Sequence, residues 1–470
     1  MLLAGMTEPG YPVMNLEHLA VTRLNMKPWK AETKDADFGE LTPELKRRNG
    51  WDSVACLGLR QITYRKMAER RVTRWVNNEV LRTSINMTRR GIPIDEAEVD
   101  RQTEAAEKAA GGAYARLIER IPNPGSTQQI GAYLEPLIAK YGLPAKRTKT
   151  GLLQTDKTAL SDLSAHERAP GRLVRFITDL LTWKKSTKLL NGYLKTLKHW
   201  APLARPDIFL ATIDGKGTVT GRITMELIQT FPRDGELKKC IVSAKKGGRI
   251  LVADYKQIEL LVAATIAGED SMLRMIEDGV DLHARMWYEI KGREHKDDKE
   301  RQVGKRTNFA TIYDVTPQGL VEQLWILDKI RMDIETAKRC IVTFFRMFPK
   351  FREYHAKQRE TVRLKKRVLS PTGRILRTSD ARQGINAPVQ SGGSDLNTCA
   401  MVLLDEAGWN PMINQYDSVA CDIEDCDPVV AERNISRIMC VHTPRELERR
   451  FGWHFPVKPR VDIKVGPTWQ

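Results

Sequence analysis

A chain of 470 residues, 41% hydrophobic and 29% charged, has enough apolar material for two or more cores and is too apolar for a disordered tract. Its formal charge of +17 points to a polyanionic partner, nucleic acid first, and no apolar run approaches the ~20 residues of a bilayer span. Seven scattered cysteines, an odd number, read as free thiols of a reducing compartment, and Cys421 and Cys426 have no second pair at zinc spacing.

Residues 1 to about 80 mix Pro, Gly and both charge signs, and are expected to be irregular until a helical pattern begins at Arg71. "MTRRGIPIDEAEVDRQ" reads as helix, turn and a new helix entered after Pro93. In "NPGSTQQIGAYL", Ser126 is an N-cap with Gln129 three residues on. A basic, Thr-rich loop, "KRTKTGLLQTDKTAL", precedes a long amphipathic helix in "RLVRFITDLLTWKKSTKLLNGYLKTL". After Pro206 the character changes to strands and turns up to Asp254. A second helical block runs from about Gly268 to Lys366, and "MINQYDSVACDIE" reads as two short strands joined at Tyr416 and Asp417. One sheet built from two distant pieces, with a helical insert between them, is the architecture this order implies.

Ile250 to Ala253 is apolar at every position, as in a strand buried on both faces, and it ends on Asp254. A buried carboxylate there is costly unless something neutralises it. Asp417 sits at the tip of the later hairpin; if both strands join one sheet, the two acids converge from positions 163 residues apart. Neighbouring carboxylates raise each other's pKa unless cations hold them ionised, and magnesium suits such oxygen ligands. Two such ions can activate an attacking oxygen and stabilise a leaving one. Acids at strand ends are also ordinary turn residues, so this pattern alone leaves both readings open.

A third element narrows the choice. Asp297 is an N-cap with Glu300 at the capping-box position, and Arg301, Lys305, Phe309 and Tyr313 then recur every four residues. Cations on that face can clamp a triphosphate and aromatics can stack on a base, although a solvated basic face with core-facing aromatics gives the same spacing. Gly392 and Gly393 fall early in a helix expected to start at Pro388, where each weakens it by roughly 1 kcal/mol. Close approach of a DNA backbone or tight packing would explain them.

Together these segments resemble the family A DNA polymerases of the bacterial polymerase I and phage type. The resemblance covers about residues 75 to 470. It rests on Asp254-Tyr255-Lys256-Gln257-Ile258-Glu259 for the first catalytic motif and on the Arg-x-x-x-Lys-x-x-x-Phe-x-x-x-Tyr pattern from Arg301 to Tyr313. Gln415-Tyr416-Asp417-Ser418 stands in place of the third motif. Thr220-Gly221-Arg222, "INAPVQ" at Ile385 to Gln390, Lys185-Ser186-Thr187, "GIPID" at Gly91 to Asp95 and the closing "VDIKVGPTW" add to it. It implies an α+β right-hand fold: an N-terminal remnant (1–75), a helical thumb (76–205), an antiparallel-sheet palm in two segments (206–275 and 395–470) and helical fingers (276–394).

The resemblance also implies roles. Asp254 and Asp417, with the Tyr255 carbonyl, would bind two magnesium ions, for which manganese is an expected substitute. Arg301, Lys305 and His283 would hold the triphosphate of an incoming dNTP, and Lys305 could protonate the departing pyrophosphate. Phe309 would pack on the sugar and base and Tyr313 would flank the nascent pair. Gln257 and Ile258 would belong to the nucleotide site, with Glu259 blocking a ribose 2′-hydroxyl. Lys185, Arg222, Gln229, Arg382, Asn386, Gln390 and Tyr416 would touch primer–template DNA, mostly in the minor groove, where contacts check shape more than sequence. Tyr416 stands for the usual histidine, Ser418 for glutamate, Leu261 for arginine, and Ala310 and Asp314 for common glycines.

The expected activity is template-directed DNA synthesis by a cytoplasmic monomer of a bacterial or phage-infected cell. A single-subunit RNA polymerase or an inactive DNA-binding relative is the rival. Only about 75 residues precede the thumb match, and Asp234/Glu236 and Asp422/Glu424 read as turn and strand acids. No 3′–5′ exonuclease is therefore expected in this chain, and editing or processivity would come from a separate partner.

Overall fold

The computed structural model describes residues 16–29, 42–68, 71–148, 150–200, 222, 223, 225, 227–232 and 235–469. Thr220, Gly221 and Asp234 lie outside the described residues. The chain divides into two compact units: Met1–Gly91, Asp207–Gln229 and Ser243–Gln470 form one, and Ile92–Pro206 with Thr230–Val242 form the other.

The smaller unit is helical. Asp95, Ser126 and Asp156 each accept a backbone N–H at the start of Glu96–Ile118, Thr127–Tyr141 and Lys157–Ser164, as expected of short oxygen-bearing caps. With Gly171–Leu189 these helices enclose Leu117, Ile130, Leu134, Leu160, Phe176 and Leu180.

The larger unit is organised on a four-stranded antiparallel sheet. Its strands are β1 (Arg249–Tyr255), β4 (Pro411–Gln415), β5 (Ser418–Glu424) and β6 (Val461–Gly466), in the order β4-β5-β1-β6. The short pair β2 (Arg367–Leu369) and β3 (Ile375–Arg377) forms a separate ribbon. Leu251, Ala253, Tyr255, Val419, Cys421 and Ile423 enter the core from one sheet face. Five helices carry the residues of interest: α1 (Ile258–Ala267), α2 (Leu282–Lys291), α3 (Asp298–Ile312), α4 (Pro317–Asp328) and α5 (Ala381–Glu406).

Four sequence expectations are corrected. First, β1 is a strand but is not covered on both faces. Asp254 is exposed, because its cross-strand neighbours are Ser418 and Asp462 and that face of the sheet ends open. Second, the described residues among the first 80 are largely helical: Leu16–Leu24 and Pro43–Ala68 are helices. The longer one hides its period because Leu45, Ala55 and Leu59 are buried while Trp51, Val54 and Leu57 point outward. Third, α5 begins at Ala381, capped by Asp380, and not at Pro388, which lies inside it. The helix is buried almost continuously from Gly384 to Val402, and that packing outweighs the ~3 kcal/mol cost of an interior proline. Fourth, residues 76–91 belong to the sheet unit: Arg82 pairs with Glu406 at 2.5 Å and Arg90 with Asp405 at 2.7 Å. Among the described residues no helix is long and apolar enough to cross a membrane.

Candidate functional site

The sheet brings the two acids together. Asp254 lies opposite Ser418, the residue after Asp417, and the Tyr255 N–H donates to the Asp417 carbonyl at 3.0 Å. Tyr416 and Asp417 form the two-residue turn between β4 and β5, with Tyr416 at φ +57°. Such turns favour Gly, Asn or Asp, so a tyrosine here is strained. Asn397 of α5 holds the turn, its Nδ2 donating to the carbonyls of Tyr416 (3.3 Å) and Ser418 (3.2 Å).

Burial pushes the Asp417 carboxyl above its usual range, and the nearby Arg222 guanidinium holds it back. A half-buried carboxylate beside an exposed one, with open sheet face in front, fits a hard cation that takes its other ligands from water and phosphate. Asp254 and Asp417 are therefore the residues that would hold magnesium. Ser418 is turned away from this role: its hydroxyl donates to the Gln415 carbonyl at 3.0 Å.

Helix α3 starts as its sequence indicates, Asp297 accepting the Glu300 N–H at 2.9 Å. The Glu300 carboxylate turns back to the Lys296 N–H and to Arg293 rather than to Asp297. Gly304 lets α3 press on α2, since a Cβ there would stand 2.1 Å from the His283 carbonyl oxygen. Across that contact the Arg301 Nε donates to Asp281 at 2.7 Å, and Asp281 caps α2 by accepting from His283 and Ala284. Although burial opposes it, these partners hold the Asp281 carboxyl below its ordinary value.

His283 is buried and its pKa is lowered to about 4, by desolvation first and by the Arg301 charge next. Asn308 Nδ2 donates to the Leu282 carbonyl (2.9 Å), which orients its amide, and also faces His283 Nδ1 at 3.2 Å. Nδ1 is thus the acceptor and Nε2 carries the proton. The His283 and Phe309 rings lie 5.6 Å apart across the contact between α2 and α3.

Farther along α3 a cavity of about 480 Å³ opens, lined by Glu259, Phe309, Ala310, Tyr313, Arg382 and Asn386, with Gln323 of α4 on its wall. One polar atom at its edge, Asn386 Oδ1, is buried with no hydrogen-bond partner, while the buried Tyr313 hydroxyl faces Glu259 and Gln390. An orphaned group of this kind is costly unless a ligand satisfies it. Burial pushes the Glu259 carboxyl up, while the neighbouring Tyr313 hydroxyl and Arg222 pull it back. Arg222 stands 3.6 Å from Glu259, and Gln390 neighbours Tyr313.

Other expected residues have different surroundings. Gln229 donates to the Ile223 carbonyl at 2.8 Å, and Lys185 is exposed on Gly171–Leu189 in the other unit. Gln257 turns the chain into α1 at φ +50°, and the Ile258 side chain is buried. The Tyr255 side chain is also buried, its hydroxyl donating to the Met439 carbonyl at 3.0 Å. Gly392 is explained by packing, for a Cβ would meet Val262 at 2.8 Å and Trp453 at 3.1 Å, whereas one at Gly393 would meet nothing within 4 Å. Asp314, in place of a common glycine, adopts φ +59° and pairs with Arg359 at 2.5 Å.

Sequence reasoning missed Asp281, Asn308 and Arg306. Asp281 was legible as the N-cap of "DLHARMW". Arg306, on the cavity wall and bound to Asp328 at 2.9 and 3.0 Å, carried no distinguishing signal among so many cations.

The family model described as DNA polymerase family A matches residues 96–470. DNA polymerase I of Rhizobium leguminosarum is 29% identical over 417 residues, covering 82% of this chain and 39% of the relative. DNA polymerase I of Aquifex aeolicus is 27% identical over 390 residues, 79% of this chain and 64% of the relative. The DNA polymerase of Mycobacterium phage D29 is 29% identical over 329 residues, with 68% and 51% covered. The chain therefore spans less than two thirds of these relatives' length. A solved structure, the POL domain of Pol1 from M. smegmatis in complex with DNA primer-template and dNTP, superposes with a TM-score of 0.78 at 21% identity, covering 100% of this chain and 81% of that one.

Proposed function

The chain belongs to DNA polymerase family A and has the family's α+β right-hand fold, and from that premise we propose that it extends a primer 3′-hydroxyl with dNTPs on a DNA template. The observation that carries this reading is the cavity itself: Glu259, Phe309, Tyr313 and Asn386 line a nucleoside-sized space edged by the unsatisfied Asn386 Oδ1. The smaller unit would be the thumb, and the sheet unit the palm and fingers.

Arg301 and Lys305 would bind the triphosphate, Arg301 exchanging its tie to Asp281 for phosphate oxygens. His283, neutral at pH 7, would donate its Nε2–H to a phosphate oxygen without adding charge. Lys305 would give a proton to the pyrophosphate oxygen as it leaves. Phe309 would pack on the sugar, and Glu259 beneath it would exclude a 2′-hydroxyl. Arg382, Asn386 and Gln390 would face the nascent pair and the primer–template. Magnesium bound by Asp254, Asp417 and the Tyr255 carbonyl would supply the positive charge that makes the 3′-hydroxyl a better nucleophile and balances the leaving group.

Primer extension tests this. Asp254→Asn and Asp417→Asn are each expected to lower the rate at least a thousandfold while primer–template affinity changes less than threefold. Near-normal extension in either variant refutes the assignment, and preferential use of ribonucleotides by the wild type would favour the RNA polymerase rival.

Synthesis by these residues is proposed to proceed without 3′–5′ editing. The Asp422 carboxylate is locked by Ser243 Oγ (2.6 Å) and the Ala244 N–H (2.8 Å), and Glu236 pairs with Lys239 at 2.8 Å, so these acids have structural work. A mismatched, end-labelled primer with magnesium and no dNTP should keep its length; metal-dependent shortening would contradict this.

A further inference from the structure

Tyr416 stands where the family motif has histidine, on a turn that disfavours it, and 54% of its surface is exposed. A bulky residue at positive φ on a catalytic hairpin persists only where something else fixes it, and such outliers cluster at functional sites. Asn397 supplies the fixing from behind. In front, the Arg222 guanidinium lies over the Tyr416 ring, 5.8 Å from its centre. The same guanidinium stands 3.6 Å from the Glu259 carboxylate, with side-chain exposures of 30% and 32%.

Glu259 is thus flanked by Arg222 from the hairpin side and by Tyr313 at the end of α3. We propose that Tyr416 is a positioning residue of the sugar gate, holding Arg222 against Glu259 so that the carboxylate is fixed from two sides beneath the incoming nucleotide. An aromatic face suits a guanidinium because the ring quadrupole attracts the cation while the flat group stacks. The ring adds a hold on the guanidinium beside the ion pair, which at 3.6 Å in partial solvent is weak by itself. Removing the ring would loosen Arg222 against Glu259, and with it the 2′ side of the sugar site.

This inference rests on the polymerase reading, so the experiment keeps the two apart. Single-nucleotide kcat and KM for a dNTP and the matching rNTP are measured for the wild type, Tyr416→Ala, Tyr416→Phe, Glu259→Ala and the Tyr416→Ala/Glu259→Ala double variant. Tyr416→Ala is expected to lower the dNTP-over-rNTP ratio of kcat/KM about fivefold, mainly through a smaller KM for the rNTP, and Tyr416→Phe to keep it within twofold. In the double variant the ratio should equal that of Glu259→Ala, because the two residues act through one carboxylate. A ratio unchanged in Tyr416→Ala, a Tyr416→Phe as impaired as Tyr416→Ala, or a further drop in the double variant overturns the role while leaving the polymerase reading in place. A wild type that extends no primer overturns that reading instead.

Discussion

Gly304→Ala sets helix propensity against tertiary packing. In an isolated helix the change stabilises by about 1 kcal/mol, because alanine loses less backbone entropy than glycine. Here the new methyl would lie 2.1 Å from the His283 carbonyl oxygen, 3.1 Å from its carbon and 3.1 Å from the Trp287 nitrogen. All three are backbone atoms of α2, so no flexible side chain can swing aside. The two helices must separate by about 1 Å, and overpacking of this kind costs ~1–3 kcal/mol. The net expectation is destabilisation by about 1 kcal/mol, opposite in sign to propensity.

Separation would also stretch the Arg301–Asp281 bond and shift His283, so the KM for dNTPs should rise several-fold. Gly393→Ala is the control. It also lies inside a helix, a Cβ there meets nothing within 4 Å, and it should stabilise by up to ~1 kcal/mol. Urea denaturation gives both signs, and single-turnover kinetics give the nucleotide effect. A Gly304→Ala variant as stable as Gly393→Ala, with unchanged KM, would falsify the close α2–α3 contact.

Two further outcomes are expected. Glu259→Ala should lower dNTP-over-rNTP discrimination at least tenfold by the ratio of kcat/KM values, and an unchanged ratio removes Glu259 from the sugar site. His283 gives a pH signature: its pKa is about 4 when folded against an ordinary 6.5, so between these values the unfolded chain binds the extra proton. Stability from this group is therefore complete above about pH 6.5 and falls as the pH drops towards 4, by as much as ~3 kcal/mol. Urea midpoints from pH 4 to 7 should show a shallower acid loss for His283→Gln than for the wild type; equal slopes would mean that the imidazole is not held neutral.

What the sequence determined was local. Caps at Ser126 and Asp297, the β4–β5 hairpin and the strand that carries Asp254 follow from side chains within a few residues of one another. The four-residue spacing from Arg301 to Tyr313 likewise sets one helix face whatever surrounds it. Where distant segments compete, the local signal failed. Pro388 reads as a helix start, yet burial on both sides carries α5 through it, and the outward Trp51, Val54 and Leu57 conceal a helix that the second apolar stripe supports. The exposure of Asp254 depends on which layer covers the sheet, and no residue of β1 encodes that. The charge partners were decided last: Arg301 with Asp281, Arg306 with Asp328, and Arg222 between Tyr416 and Glu259. Each pair joins separate elements, and in a chain with 76 Lys and Arg and 59 Asp and Glu almost any cation has an acid within sequence reach. Attraction between charges is non-specific in the unfolded chain, so only the packing of helices and sheet, by fixing distances of a few ångströms, selects which pairs form.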